Sequence, residues 1–185
     1  MIEYPTLQCA DPHLTATWRI AFGDMLGNIR PYQSGMLESP RPVILAGLDY
    51  DTPWTRDAAI NVWNGMGLIF PQVARDTLIS MLERHDNGLF ISGQYWDAMI
   101  WTVGAWHYYL YTGDLDFLKL ALEAVTNSLR YFEETEFSSD WGLFRGPAVY
   151  GDGVSAYPDR YAQTNGSSSI LDWPAHNPAD RAATG

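Results

Sequence analysis

Tryptophans, arginines and aspartates gather in three stretches of this sequence that otherwise carry the Gly, Pro and Ser of loops. The first is Asp49-Tyr50-Asp51-Thr52-Pro53-Trp54-Thr55-Arg56-Asp57. The second is Ser92-Gly93-Gln94-Tyr95-Trp96-Asp97. The third runs from Asp140-Trp141-Gly142-Leu143-Phe144-Arg145-Gly146-Pro147 through Tyr150-Gly151-Asp152-Gly153 to Tyr157-Pro158-Asp159-Arg160. Flat apolar rings beside hydrogen-bonding groups suit a sugar, because a pyranose has an apolar C–H face and a polar rim. Each residue alone also has a structural explanation. Asp57 and Asp97 can serve as acids in first helical turns, Trp54 and Trp96 as core, and Arg56 with Asp57 as an ion pair. The recurrence of the same chemistry at corresponding places in successive hairpins favours binding.

The elements that must position these stretches read as helices. Asp11-Pro12 gives an N-cap followed by proline at the first helical position, opening a helix over 12–26. Residues 28–53 hold Pro31, Pro40, Pro42 and Pro53 and read as a long ordered loop. The pattern predicts helices over 57–70 and, restarted by Pro71, over 71–84. A helix over 95–111 is apolar nearly all round, with Trp96, Met99, Ile100, Trp101, Val103, Trp106, Tyr109 and Leu110, and should be buried on most sides. Thr112-Gly113-Asp114 turns into a fifth helix over 115–136, where Leu118, Leu122, Val125, Leu129 and Phe132 form one apolar stripe. Mostly apolar helices alternate with one-sided ones. That alternation predicts an all-α single domain over 1–185, with helical hairpins forming part of a double-layered α/α toroid. Residues 137–185 are loop-rich, an irregular C-terminal segment. If the buried helices all run the same way, their N-terminal loops collect on one face, and the three stretches meet in one cleft.

Composition limits the partners. Hydrophobic residues make up 46% and charged residues 18% of 185, which is a globular balance. The net charge of -11, with Lys119 the sole lysine, offers no basic patch for nucleic acid or anionic membranes and suits a neutral ligand. An acidic surface kept for solubility accounts for the charge equally well. Cys9 is the single cysteine, so neither an internal disulfide nor a cysteine-based zinc cluster is expected. Met1-Ile2-Glu3-Tyr4-Pro5 lacks the basic and apolar parts of a signal peptide, and no apolar run has the length of a membrane span. A cytoplasmic location is therefore the default expectation.

Trp54-Thr55-Arg56-Asp57-Ala58-Ala59 resembles the opening segment of six-hairpin glycosidases, the glucoamylase-, glucosidase- and trehalase-like (α/α)6 barrels. Tyr108-Tyr109-Leu110-Tyr111-Thr112-Gly113-Asp114 resembles their recurrent helix-to-helix turn. The resemblance covers the chain from about Pro42 onward. It implies inverting hydrolysis of an α-linked oligosaccharide or small glycoside. A carboxylic acid protonates the leaving oxygen, and a carboxylate roughly 6.5–9.5 Å away activates water. It further implies that Arg56 and Asp57 hydrogen-bond the terminal sugar and that Trp54 packs on it. Gln94, Trp96 and Asp97 would extend that subsite, and Trp141, Arg145 and Tyr150 complete the expected substrate-binding set. Asp152, between Gly151 and Gly153, sits in the setting of the family's general acid, with Asp159 as runner-up. Such an acid needs a raised pKa, which Tyr150, Phe144 and Trp141 could supply. The sequence departs from the family in helix count, about five against twelve, and no residue matches the catalytic base. A truncated chain, or a partner supplying the rest, follows as an expectation. So do negligible activity of this chain by itself and self-association through exposed apolar edges.

No cofactor is expected. Asp49, Asp51 and the acids near Asp152 could make an oxygen site for a structural calcium ion, though without EF-hand spacing. His13, His85, His107 and His176 show no ligand spacing. Gly65-Met66-Gly67 is too short for a phosphate loop, and no nucleophilic serine motif is present. Two other classes compete with the hydrolase. One is a non-catalytic carbohydrate-binding or scaffolding helical module using the same aromatic cleft. The other is a polysaccharide lyase or epimerase on a related toroid, which a chain with one lysine is ill equipped to be.

Overall fold

A computed structural model describes residues 4–93 and 95–144. Helix α1 (Pro12–Gly27) starts where Asp11 accepts the His13 N–H at 2.8 Å, with Pro12 in its first turn. No residue of α1 is buried. It is held by an aromatic group in which Trp18 stacks on Phe22 and both Tyr4 and Phe22 meet Phe70.

The region read as a loop contains a β-hairpin, β1 (Ile29–Tyr32) with β2 (Arg41–Ile44). Its prolines misled the reading, because proline breaks a ladder only where an N–H is needed. Pro31 lies opposite Pro42, in phase with the Ile29–Ile44 pair, while the Leu45 N–H bonds Asn28 O just beyond it. Antiparallel pairs alternate between bonded and non-bonded, so both prolines fall on a non-bonded pair and cost no ladder bond. The Ile44 N–H, in the same phase, points away from β1 and donates to Thr77 Oγ1 at 3.0 Å.

The helix expected over 57–70 begins earlier and is broken. It comprises α2 (Thr55–Asn61), a π turn (Val62–Met66) and a short α3 (Gly67–Ile69). Gly65, at φ +144, takes up the extra residue of the turn. The Trp63 carbonyl inside that turn is satisfied by Tyr111 Oη at 2.8 Å. Helix α4 (Pro71–Ile79) also stops short of residue 84. Strands β3 (Leu82–His85) and β4 (Gly88–Ile91) follow, with Asp86 and Asn87 between the paired His85 and Gly88. Gly88 has φ +138, and strand alternation buries Leu89 and Ile91.

Helices α5 (Tyr95–Thr112) and α6 (Leu115–Thr135) lie close to their expected limits. They are joined by Gly113 at φ +68 and by Asp114, which caps α6 by accepting the Phe117 N–H at 2.9 Å. The buried face of α6 is Phe117, Ala121, Ala124 and Ser128, while Leu122 is 65% exposed. Small side chains let α6 come close to α5 and β4. Helix α5 buries Ala98, Trp101, Ala105 and Tyr108 but exposes Val103, Trp106 and Leu110, so it is covered on fewer sides than its composition suggested. A last hairpin, β5 (Phe137–Ser138) with β6 (Leu143–Phe144), lies within the segment expected to be irregular.

The described chain is thus helix-rich with three two-stranded hairpins, a mixed architecture rather than a plainly helical one. Two units repeat. In the first, β1–β2 precedes the α2–α3 rod and α4; in the second, β3–β4 precedes α5 and α6. Each hairpin is fastened to the second helix of its unit in the same way, since the Ile91 N–H donates to Ser128 Oγ at 2.9 Å as Ile44 does to Thr77. Asp86-Asn87-Gly88-Leu89-Phe90 returns in sequence as Asp140-Trp141-Gly142-Leu143-Phe144, although the β5–β6 turn is longer, its last pair being Ser138 with Leu143. The core lies where α2 and its π turn meet α4 and α5, around Val62, Met66, Leu78 and Trp101, with the Trp101 Nε1 donating to Leu78 O at 3.1 Å. No helix among the described residues is long and apolar enough to cross a membrane.

Candidate functional site

The rod of α2 and α3 runs parallel to α5. Arg56 meets Asp97, Ala59 meets Gly104, and Gly67 meets Tyr111, so positions rise together along both elements. Helix α4 runs the other way, with Leu78 beside Trp101 and Arg75 beside Asp114. The first turns of α2 and α5 therefore lie side by side at one end of the molecule. Gly104 permits this closeness, because a Cβ there would stand 2.6 Å from Ala59 Cα.

At that shared end Arg56 Nη1 donates to Asp97 Oδ1 in an ion pair between the two helices. Asp97 is 1% exposed, whereas the Arg56 side chain keeps 26% of its surface. Thr55 Oγ1 donates to Ser92 O at 3.0 Å and so pins the segment leading into α5. Gly93, at φ +110, passes directly over Asp97 Oδ2 and Thr55 Oγ1, leaving no room for a side chain. Asp57, the next residue of α2, is half-buried. Desolvation raises its pKa above the ordinary carboxylate value, the Arg56 charge and a backbone hydrogen bond oppose that shift, and the Asp97 charge adds to it.

Trp54, which leads into α2, has φ +52 and is the one non-glycine residue with positive φ among the described residues. Such a backbone is costly for a side chain with a Cβ and persists only where its surroundings impose it. Its Nε1 is buried with no hydrogen-bond partner among the described residues. An indole on a strained backbone, a partly exposed guanidinium and a half-buried carboxyl thus follow closely in sequence at the start of α2. Together they offer an apolar face, a fork of N–H donors and a carboxyl that can accept or, when protonated, donate.

Of the residues expected to bind, Arg56 and Asp97 are brought into contact, and Trp54 and Asp57 stand on either side of Arg56 in the chain. Trp141 stands 76% exposed in the turn between β5 and β6. Gln94, Arg145, Tyr150, Asp152 and Asp159 lie outside the described residues, as does the side chain of Trp96. Thr55 and Gly93 were not singled out by the sequence reading. The glycine just before a helix was the available signal for a backbone passing close to buried side chains. Among the described residues no group of three or more His, Cys, Asp or Glu could hold a metal ion, and Asp49 and Asp51 are both exposed. Comparison with protein-family models, with curated proteins and with solved structures returns no match.

Proposed function

We propose that the shared end of α2 and α5 is one wall of a cleft for a neutral α-linked oligosaccharide or small glycoside, and that the chain serves inverting glycoside hydrolysis. The observation that carries this reading is the juxtaposition of Trp54, Arg56 and Asp57 with the first turn of α5. Trp54 supplies a platform for the C–H face of a sugar. Arg56 keeps N–H groups to spare beyond its bond to Asp97, and Asp57 can grip a hydroxyl from either protonation state. The net charge of -11 suits an uncharged ligand. The acid assigned to the chemistry is Asp152, with Asp159 second. Both assignments rest on the resemblance of the surrounding sequence.

Binding is tested with maltose by titration calorimetry and tryptophan fluorescence on the chain. Arg56→Gln weakens binding at least about 10-fold, the scale of losing one charge-assisted hydrogen bond. Equal affinity in the variant removes Arg56 from the site. Catalysis is tested on a panel of p-nitrophenyl α-glycosides, where Asp152→Asn lowers kcat at least about 100-fold, the contribution of a general acid. The second reading is a non-catalytic carbohydrate-binding module, favoured by the fact that Trp54, Arg56 and Asp57 are groups that bind a sugar without needing to react with it. Maltose binding with no turnover on the whole panel decides for that module.

A further inference from the structure

We infer that Asp97 is a positioning residue: from the first turn of α5 it fixes the guanidinium of Arg56 at the start of α2, and it makes no contact of its own with ligand. This rests on the sugar-binding reading of the shared helix end and assigns a division of labour within it. Asp97 is closed off. It is 1% exposed, the Gly93 backbone passes over Oδ2, and Thr55 holds that backbone down through Ser92 O. A ligand arriving from solvent reaches Arg56, whose side chain is 26% exposed, before it can reach Asp97.

The chemistry favours the same order. A buried carboxylate needs a cation and hydrogen bonds, and Arg56 provides both. An arginine at the edge of a first turn has many rotamers, and one bond to a rigid, buried acceptor removes most of that freedom. The bond also spans two helices, so it aims the guanidinium relative to α5 as well as to its own helix. Asp57 occupies the third position of α2, as Asp97 does in α5, but stays half-buried, and it is the carboxyl left to face a ligand.

The test is a double-mutant cycle of Arg56→Gln and Asp97→Asn, read first by maltose affinity. If Asp97 acts through Arg56, Asp97→Asn weakens binding about 5- to 10-fold in the parent and has no further effect beside Arg56→Gln. Losses that multiply in the double variant mean that Asp97 touches the sugar, and they overturn the inference. A parent chain that does not bind maltose defeats the sugar reading instead, and the positioning role is then decided by ¹³C carboxyl titration of Asp57. Asp97→Asn lowers the Asp57 midpoint, and more so with Arg56 present than in the Arg56→Gln background, because a released guanidinium turns toward Asp57. An equal drop in both backgrounds overturns the inference. Should Asp97→Asn fail to fold by circular dichroism, Asp97→Glu keeps the charge but moves the carboxylate, and an intermediate maltose affinity with a smaller Asp57 displacement is expected. Unchanged values for Asp97→Glu on both readouts count against the positioning role.

Discussion

The first turns of α2 and α5 begin alike and end in different chemistry. Each places an aspartate at its third position, Asp57 and Asp97, and follows it with a buried alanine, Ala58 and Ala98. Both carboxylates sit where a helix N-terminus favours negative charge. Asp97 is covered by Gly93, paired with Arg56 and sealed from water, whereas Asp57 is half-buried and has its pKa raised by desolvation. The repeat therefore supplies the same acid twice. What covers each copy decides whether it holds the scaffold or remains available.

The largest effect should come from the contact that brings the two turns together. Gly104→Ala places a methyl 2.6 Å from Ala59 Cα and 2.8 Å from Ala59 O, and backbone cannot swing aside as a side chain would. A loss of about 3 kcal/mol in urea unfolding is expected, the upper part of the usual range for overpacking. Since the Arg56–Asp97 bond depends on the same spacing, the proposed sugar-binding role predicts that maltose affinity falls as well. A variant within about 0.5 kcal/mol of the parent would show that α2 and α5 are not locked at this point, an effect no larger than an ordinary surface change.

The two aspartates should then separate cleanly. Asp97→Ala leaves Arg56 without its acceptor and costs on the order of 3 kcal/mol, at the low end for a broken buried pair because the guanidinium still reaches water. Asp57→Ala removes a carboxyl that burial already penalises, and its effect on stability stays within about 0.5 kcal/mol. Equal costs for both would erase the distinction between scaffold and site.

Much of this arrangement was legible before the structure, and the losses have physical causes. The helix limits over 95–136 followed from long periodic runs and the Gly113-Asp114 stop. The hairpins did not: β1–β2 and β5–β6 lie in stretches whose proline and glycine density suggests loop, and β3 falls at the end of the helix expected over 71–84, although the two-residue Asp86-Asn87 turn beside Leu89 and Ile91 is a strand signal. The apolar stripe expected on α6 is met in part, since Val125 and Phe132 pack against the core while Leu122 is exposed, and the fully buried positions are Phe117 with the small Ala121, Ala124 and Ser128, which close approach favours. In the site, the segments holding Trp54, Arg56, Asp57 and Asp97 were identified from composition. The bond between Arg56 and Asp97 was not, because it depends on the register of two parallel helices set by Gly104 and Ala59.

The fastening of each hairpin offers a milder comparison between the units. Thr77→Val and Ser128→Ala each strand a buried strand N–H, that of Ile44 and of Ile91 respectively, at about 2 kcal/mol apiece. If the units are built alike, the two costs agree closely in urea unfolding. A free energy for one that is near zero would mean that its hairpin finds another acceptor.

The helix-to-helix turns should differ least in size but in a way that pH reveals. Helix α4 starts at Pro71 after Phe70, with no side-chain cap, whereas α6 is capped by Asp114, which also accepts from Arg75 Nε at 3.2 Å and Tyr108 Oη at 3.3 Å. Asp114→Ala costs about 1 kcal/mol, the usual worth of an N-cap. The Phe117 N–H hydrogen bond, joined by Arg75, holds the Asp114 pKa below its ordinary value in the folded state. Its contribution is therefore complete above the ordinary carboxylate range and is lost as pH falls through the depressed folded value. Asp57 has the opposite sign. Its folded pKa is raised, so its contribution is complete below the ordinary range and is lost as pH rises through the raised value. Thermal unfolding from acid to neutral pH should show Asp114→Asn flattening the acid side of the stability curve, while Asp57→Asn flattens only the part above the ordinary carboxylate range. If both variants alter the curve in the same direction, the two carboxyls share one environment, and the contrast between the helix turn and the open first turn of α2 is lost.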